Sequence, residues 1–284
     1  MIKTATPEEI AFYKEALYPA QDKILNAIDE TFGNVFYLTG GTALSRFYFR
    51  HRLSEDLDLL TETENIKTAI PRIVKILESL GYKVDVKAMS VTFGRLFVFL
   101  EDGEKLKIDL AADYPTEKPK AAENFYVDTI GNIAVNKIAA FEDRAEVKDL
   151  VNLYFLVKEG GINLEEVLEL ADRKKVPVPY EELLTINATG LTGNAFLLKR
   201  VEAEALEDFL EELKKILKKN VKKRVREARR LIEYQRKRRG IYCPDRADNQ
   251  RGRRGHEPYC PQRTRFPVLF LLKRRYRTAS HSCS

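Results

Sequence analysis

The sequence predicts an α+β protein in which a small sheet with flanking helices is followed by a C-terminal helical bundle. Strand patterns are confined to residues 35–111, where they are interspersed with amphipathic helical segments. Between residues 130 and 234, apolar residues recur at helical spacing only. We therefore expect an α/β domain over residues 1–125, a helical domain over 126–236, and a separate tail over 237–284.

The N-terminal segment leads into a glycine turn that is typical of phosphate sites. Two helices are expected on either side of Tyr18-Pro19, and an apolar strand over residues 35–39. Gly40-Gly41 then turns the chain into a short helix from Thr42 to about Phe49. The N-terminus of a helix offers free N–H groups and a positive dipole end, which together suit a phosphate.

The second strand carries two carboxylates at alternate positions. Asp56 and Asp58 point to the same face, roughly 6.5 Å apart along the backbone at ~3.3 Å per residue, while Leu57 and Leu59 point to the other face. Two neighbouring carboxylates repel each other unless a cation lies between them, and their oxygens suit Mg²⁺ or Mn²⁺. A phosphate-binding turn beside a metal-binding pair indicates phosphoryl or nucleotidyl transfer.

A third carboxylate, Asp109, lies on the polar face of a later strand. If this strand lies beside the strand of Asp56 and Asp58, Asp109 completes a three-carboxylate metal site; otherwise it is a surface acid. A helix over residues 65–80 precedes three strand candidates. The strands cover residues 82–88, 91–100 and 105–111, and Asp102-Gly103 between the last two is a hairpin signal.

The second half of the chain is expected to be helical. A loop rich in Pro, Glu and Lys over residues 113–122 leads into it. Apolar periodicity and helix-ending glycines then delimit the helices. These are predicted over residues 130–142, 146–159, 164–173, 180–186 and 203–234.

The net charge of +6 belongs to the tail rather than to the body. Residues 237–284 hold 13 Lys and Arg against 3 Asp and Glu, whereas the preceding 236 residues hold 36 against 40. An acidic body argues against an RNA-binding protein that depends on overall charge alone. The body has no cysteine, so it contains neither disulfides nor thiol chemistry.

The tail changes abruptly in composition and loses helical periodicity. We expect it to be disordered or artefactual, for example an out-of-frame extension, with a nucleic-acid-binding or membrane-surface tail as the alternative. A zinc site is disfavoured because the ligand types lack CxxC-type spacing. Those residues are Cys243, His256, Cys260, His281 and Cys283.

No membrane association is expected from the sequence. The chain has no run of about 18 apolar residues of the kind that crosses a bilayer. Its first residues also lack the apolar core of a signal peptide. We therefore expect a cytoplasmic protein.

Two motifs together closely resemble the AbiEii/AbiGii-type nucleotidyltransferase toxin family. They are Gly40-Gly41-Thr42-Ala43-Leu44 and the segment from His51 to Leu59. The similarity extends to Lys137-Ile138-Ala139-Ala140-Phe141 and to Arg144 with Lys148-Asp149-Leu150, and it spans roughly residues 30–160. Members are DNA polymerase β-like nucleotidyltransferases of abortive-infection and type IV toxin–antitoxin systems. The resemblance implies a mixed small sheet of the polymerase β-like type and an NTP-dependent enzyme.

The resemblance also implies roles for individual residues. An NTP would be the substrate, with Mg²⁺ or Mn²⁺ as cofactor, an RNA such as tRNA as acceptor, and a separately encoded antitoxin as partner. The residues implied for metal binding are Asp56, Asp58 and Asp109. The same three residues and Lys137 are implied as catalytic. Those implied for nucleotide binding are Gly40, Gly41, Thr42, Arg52, Ser54, Lys148 and Asp149.

Several alternatives stay open at this point. Arg52 and Ser54 either contact the nucleotide or position the second strand. Lys137 and Asp149 either complete the nucleotide site or are ordinary surface charges, and Asp149 is alternatively an ion-pair partner of Arg144 or Lys148. The family commonly has a second aspartate three residues after Lys-Asp, and here that position is Asn152. A catalytically weak nucleotide-binding or interaction module of the same fold is therefore the alternative function.

Overall fold

The computed structural model describes residues 1–101, 103–122, 125–142, 145–187 and 190–238, with side chains up to residue 235. The chain divides into two compact units, Met1–Ile232 and Glu233–Ser284. Of the second unit, the structure describes only the end of a helix, up to Arg238. The predictions for the rest of the tail therefore lie outside the described residues, as do Asp102 and Arg144.

The described elements alternate strands and helices over the first half and are mainly helical afterwards. The strands are Ile2–Thr4 (β1), Tyr37–Thr39 (β2), Leu57–Thr61 (β3), Lys83–Met89 (β4), Phe93–Phe99 (β5), Lys105–Ala112 (β6), Lys120–Ala122 (β7), Phe125–Val127 (β8) and Ala195–Leu197 (β9). The α-helices are Pro7–Phe12 (α1), Tyr18–Phe32 (α2), Gly40–Ala43 (α3), Ile66–Ser79 (α4), Ile130–Ala139 (α5), Val147–Lys158 (α6), Leu164–Lys174 (α7), Tyr180–Thr185 (α8) and Ala203–Arg238 (α9).

Within the described residues, seven strands form one mixed sheet in the order β4-β5-β6-β3-β2-β8-β7. The β3–β6 and β2–β8 pairs are parallel, and the other pairs of this sheet are antiparallel. β1 and β9 form a separate parallel pair. The predicted fold class, a small mixed sheet with flanking helices and a helical C-terminal part, is confirmed. The domain division near residue 125 stays a prediction.

The N-terminal helices adjoin without a loop at Tyr18-Pro19. A π-helical segment, Tyr13–Leu17, connects α1 directly to α2, and Pro19 lies in the first turn of α2. Proline has no N–H and its ring collides with the carbonyl four residues earlier in a regular helix, so a wider π turn before it relieves both problems. The apolar residues predicted to line the second helix, Ile24, Leu25 and Ile28, are buried.

Helix α4 packs on one face of the sheet, against β4, β5 and β6. It begins at the N-cap Asn65 and buries Ile66, Ile70, Ile73 and Leu77. Against it lies β5, where Gly94 leaves room for the helix: a Cβ there would overlap Ile70 Cδ1 and come within 3.0 Å of Ile66 Cγ2. The helix and the sheet therefore approach each other more closely than any larger residue at position 94 allows.

Four short strands were not predicted. β1, β7, β8 and β9 have three residues each, which is too short for a two-residue alternation to stand out. β7 lies inside the segment that we predicted to be a loop over residues 113–122, and it is held by antiparallel pairing with β8. Long-range pairing, rather than local pattern, makes these segments strands. None of the described helices is long and apolar enough to cross a membrane.

The close approach of α4 to Gly94 leads to a prediction about stability. Gly94→Val should destabilise the protein by about 1 to 3 kcal/mol, because the added side chain overpacks the α4 interface. Thr92→Val introduces the same side chain at an exposed position of the same hairpin and should change stability by less than about 0.5 kcal/mol. Urea unfolding measures both. Equal midpoints for Gly94→Val and the wild type would contradict the packing.

Candidate active site

Three carboxylates meet where β3 lies between β2 and β6. Asp58 pairs in register with Asp109 on one side and with Thr39 on the other. Asp56 immediately precedes β3. The prediction that the strand of Asp109 lies beside the strand of Asp58 is confirmed. The parallel β3–β6 register brings together residues that are 51 positions apart in the chain.

Two cations from the same sheet hold two of these carboxylates. Lys107 Nζ lies 2.7 Å from Asp56 Oδ2 and 3.8 Å from Asp109 Oδ2. Arg95 forms a bidentate pair with Asp109, with distances of 2.7 Å and 2.8 Å. Bidentate arginine–carboxylate pairs are geometrically specific and charge-assisted. Arg95 and Lys107 were not predicted, although Lys107 shares a strand face with Asp109 and Arg95 is its cross-strand neighbour.

Asp58 lies directly on the glycine turn. A Cβ at Gly40 would overlap Asp58 Oδ2, and Gly40 has a φ of 73°, so this position requires glycine for both reasons. Burial raises the pKa of Asp58; the neighbouring Asp56 and Asp109 carboxylates also raise it, while Lys137 and Lys107 lower it. The charged form of Asp58 is therefore disfavoured in this site, and a bound cation would stabilise it.

The remaining turn residues fix the segment that precedes β3. The buried Thr42 hydroxyl donates to the Asp56 backbone carbonyl and shares a 3.0 Å hydrogen bond with Ser54 Oγ. A Cβ at Gly41 would overlap Arg52 Nη2 and come within 3.1 Å of Ser54 Oγ. Ser54 and Arg52 thus pack against the turn and position β3. Contact of Gly40, Gly41 and Thr42 with a triphosphate stays a prediction.

Arg52 connects this turn to the helical half. Its side chain is buried, its Nε donates to Asn152 Oδ1 at 3.0 Å, and its Nη1 donates to the Leu53 carbonyl at 2.7 Å. His51 Nε2 donates to the same Asn152 oxygen at 2.9 Å. Asn152, where the family commonly has aspartate, is therefore a neutral double acceptor that joins α6 to the segment before β3.

His51 is neutral in this arrangement. Its side chain is fully buried, and burial lowers its pKa to about 3, with the nearby Arg52 cation acting in the same direction and the Asn152 hydrogen bond opposing it. Because Nε2 donates to Asn152, Nδ1 carries no proton, and it has no partner within the described part of the chain. A neutral imidazole beside Arg52 avoids placing a second buried cation there.

Lys137 and Asp149 form a buried ion pair between helices α5 and α6. Lys137 Nζ on α5 lies 2.9 Å from Asp149 Oδ1 on α6, and both side chains are almost inaccessible to solvent. Neither is an ordinary surface charge, and the Lys137 cation acts electrostatically on Asp58. Lys148 is different, since it pairs with Glu146 at 2.9 Å and is partly exposed. The roles of all three in nucleotide binding stay predictions.

Asp128 fixes the start of the helix that carries Lys137. This buried carboxylate accepts hydrogen bonds from Thr39 Oγ1 at 2.7 Å, from Asn132 Nδ2 at 2.8 Å and from the Thr129 N–H at 2.9 Å. Burial raises the pKa of Asp128, and these three hydrogen bonds oppose the rise. Because Thr39 also pairs with Asp58, Asp128 ties α5 to the carboxylate strand. Sequence analysis missed it, and an aspartate just before a helix is only a generic capping signal.

The carboxylates fit a divalent metal by donor type. Mg²⁺ and Mn²⁺ prefer the oxygen ligands that Asp56, Asp58 and Asp109 would supply. Among the residues that the structure describes, no three His, Cys, Asp or Glu side chains are arranged as a metal site. Arg95 and Lys107 engage two of the three carboxylates instead. Lys107 would therefore compete with a metal ion for Asp56.

Comparisons with known proteins identify the family of this chain. A sequence profile described as "Nucleotidyl transferase AbiEii toxin, Type IV TA system" matches residues 23–230. An uncharacterised protein of Aquifex aeolicus (strain VF5) is 32% identical over 146 residues, which cover 50% of this chain and 66% of that protein.

Two solved structures are similar to this chain. The nucleotidyltransferase toxin MenT4 of Mycobacterium tuberculosis H37Rv matches with a TM-score of 0.50 at 16% identity, over 71% of this chain and 82% of its own. JHP933 from Helicobacter pylori matches with a TM-score of 0.49 at 22% identity, over 82% of this chain and 100% of its own. The likeness to MenT4 confirms the predicted nucleotidyltransferase fold. With a family profile matched over more than half of its length, the chain belongs to the AbiEii family of nucleotidyltransferase toxins.

Proposed function

We propose that this protein is a metal-dependent nucleotidyltransferase that moves a nucleotidyl group from an NTP to an RNA acceptor such as tRNA. It would act as the toxin of a toxin–antitoxin or abortive-infection pair, countered by an antitoxin protein. The observation that carries the proposal is the β3–β6 register, which sets Asp58 beside Asp109 next to the Gly40 turn. Family membership and the likeness to a nucleotidyltransferase toxin support it.

The reaction needs the residue types that meet here. An acceptor hydroxyl oxygen attacks the α-phosphorus of the NTP, and pyrophosphate leaves. Asp109 would accept the proton of the attacking hydroxyl, and Lys137 would neutralise charge on the leaving phosphate oxygens. Asp56, Asp58 and Asp109 would hold Mg²⁺ or Mn²⁺, which when bound stabilises the attacking and leaving oxygens. Gly40 and Gly41 would let the triphosphate approach the backbone closely.

A catalytically weak nucleotide-binding module is the second candidate, and Asn152 favours it. The side chain at this position accepts hydrogen bonds from His51 and Arg52. If the family's aspartate acts on the nucleotide, this chain has replaced that function with a structural one. The two candidates make opposite predictions for label transfer and the same prediction for NTP binding.

The first test is transfer of label from each of the four α-³²P-labelled NTPs to total RNA in the presence of Mg²⁺. Asp58→Asn should reduce transfer on the order of a thousandfold, because it removes a charge that the transition state needs. The control Asp85→Asn makes the same change on β4, away from the carboxylate cluster, and should transfer normally. Absence of transfer with every NTP, together with intact NTP binding, would favour the module.

A second test concerns the cation that holds Asp56. Lys107→Met should tighten Mn²⁺ binding on the order of tenfold, because the metal no longer competes with an ammonium group for Asp56 and Asp109. Lys87→Met, which removes an exposed lysine paired with Asp85 at 2.6 Å, should leave the affinity unchanged. Titration calorimetry in the absence of NTP measures both. Weaker or unaltered Mn²⁺ binding by Lys107→Met would show that Lys107 does not occupy the metal position.

A third test concerns His51, whose hydrogen bond to Asn152 connects helix α6 to the segment before β3. Because the pKa of His51 is about 3 in the folded chain and 6.5 when unperturbed, the unfolded state binds its proton first as pH falls. The native state should therefore lose up to about 1.4 kcal/mol per pH unit from this group between pH 6.5 and pH 3. Urea unfolding at several pH values should show a shallower dependence for His51→Gln. Identical slopes for the two proteins would argue against a buried neutral His51.

A further inference from the structure

The second half of α9 is strongly basic although the body of the protein is acidic. Between Lys214 and Arg230 the helix has ten Lys and Arg residues and one acid, Glu227. The apolar face of α9 ends in the buried Leu213 and Leu217, which pack towards the core. The charged part is therefore an extension of an anchored helix, and eight of its ten cations form two groups, one paired with acids of α7 and one without an acidic partner in the described part of the chain.

One group of cations fastens α9 to α7. Lys219 lies 2.7 Å from Glu165, and Lys223 lies 3.5 Å from Glu169. Arg224 pairs with Asp172 one turn further along α7. These acids are thus engaged by cations on the flank of α9 that faces α7. Surface pairs of this kind contribute little stability individually. They do give each of these three cations an acidic partner.

The other group forms a stripe beside the first, and four of its five members border the same groove as Glu165 and Glu169 of α7. Its members follow one another at intervals of three and four residues, which places them on one face of a helix with 3.6 residues per turn. All five are exposed, and none has an acidic partner within the described part of the chain. We call this set the basic stripe: Lys215, Lys218, Lys222, Arg226 and Arg229.

The basic stripe has regular dimensions. At 1.5 Å per residue it extends for about 21 Å, with one cation every 4.5 to 6 Å or so. The acids that border the same groove are Glu227 of α9 and Glu165 and Glu169 of α7. Glu165 and Glu169 are engaged by Lys219 and Lys223. Glu211, just before the stripe, is engaged by Lys214 at 2.8 Å. Cations outnumber acids on this surface, and a row of cations in excess attracts a linear polyanion.

We propose that the basic stripe is the docking surface for the phosphate backbone of the RNA acceptor. This inference rests on the proposed function, since it names how the acceptor is held. A protein partner is a poorer match because stable protein interfaces have an apolar or aromatic core, and no apolar side chain lies on the line of five. A membrane surface is also a poorer match, because membrane-lying helices place apolar residues beside their cations. Leu213 and Leu217 of α9 are buried, and the exposed Leu231 and Tyr234 lie beyond the end of the stripe.

The stripe contacts phosphates rather than bases, so it contributes affinity without sequence selectivity. Its role is to hold the body of the RNA while the end to be modified reaches the carboxylate cluster. Helix α9 packs on α6 through the edge-to-face contact of Phe209 with Tyr154. It is therefore anchored to the same helix that carries Asp149 and Asn152.

The test compares two five-fold variants of the full chain with equal net charge. The stripe variant replaces Lys215, Lys218, Lys222, Arg226 and Arg229 with Gln. The control replaces five other exposed lysines that have no acidic partner within the described ranges, Lys14, Lys67, Lys75, Lys118 and Lys120, with Gln. Fluorescence anisotropy with labelled unfractionated bacterial tRNA, without NTP or divalent metal, gives the affinity at several salt concentrations.

The stripe variant should bind tRNA at least about tenfold more weakly, and its plot of log affinity against log salt should be shallower by about 3 to 5. The control should retain nearly the wild-type slope. A third variant with Lys215, Lys218 and Lys222 changed to Arg should bind as the wild type does, which separates loss of charge from damage to α9. Equal weakening by the stripe and control variants, or none by the stripe variant, would overturn the proposal.

Two further readouts separate this proposal from its alternatives. Loss of binding to phosphatidylserine vesicles by the stripe variant, with unchanged tRNA affinity, would assign the stripe to a membrane and overturn RNA docking. If the wild type transfers no nucleotide but the stripe variant still loses tRNA binding, RNA docking stands and nucleotidyl transfer fails. If the stripe variant retains full tRNA affinity and transfer stays normal, the proposed function stands and RNA docking fails.

Discussion

The electrostatic repulsion among Asp56, Asp58 and Asp109 is the constraint on which the rest of the site depends. The parallel pairing of β3 with β6 brings these carboxylates together, and like charges at this distance are tolerated only beside cations. Arg95 and Lys107 supply cations within the sheet, and Lys137 acts on Asp58 from the helical half. An arrangement that collects negative charge in this way is suited to binding divalent metal, and it explains why the proposed chemistry is nucleotidyl transfer.

A second set of contacts connects helix α6 to the glycine turn and to the segment before β3. Arg52 packs on Gly41, where no larger residue fits, and donates to Asn152 on α6. Its charge is balanced chiefly by Asp149, which is also the partner of Lys137. Asparagine at position 152 accepts from Arg52 and from a neutral His51 without adding a second carboxylate beside Asp149. The departure from the family pattern is thus accompanied by a defined structural role.

Much of this site could be predicted from local sequence. The alternation of Asp56 and Asp58 and the glycine turn are short-range patterns, and the structure has the strand and the turn where these patterns predict them. The position of Asp109 beside Asp58 needed a guess about strand pairing, which the register confirms. Arg95, Lys107 and Asp128 could not be predicted in the same way. Their roles depend on partners 14, 51 and 89 residues away, and charge or capping patterns alone do not identify such partners.

The most direct test of the central claim is the position of bound metal. Crystals of the protein soaked with Mn²⁺ and a non-hydrolysable NTP analogue would show the metal by its anomalous scattering. The account predicts Mn²⁺ on the carboxylates of Asp56, Asp58 and Asp109, the triphosphate against the Gly40-Gly41 turn, and Lys107 withdrawn from Asp56. Mn²⁺ bound elsewhere, or Lys107 still paired with Asp56 in the presence of bound nucleotide, would contradict it.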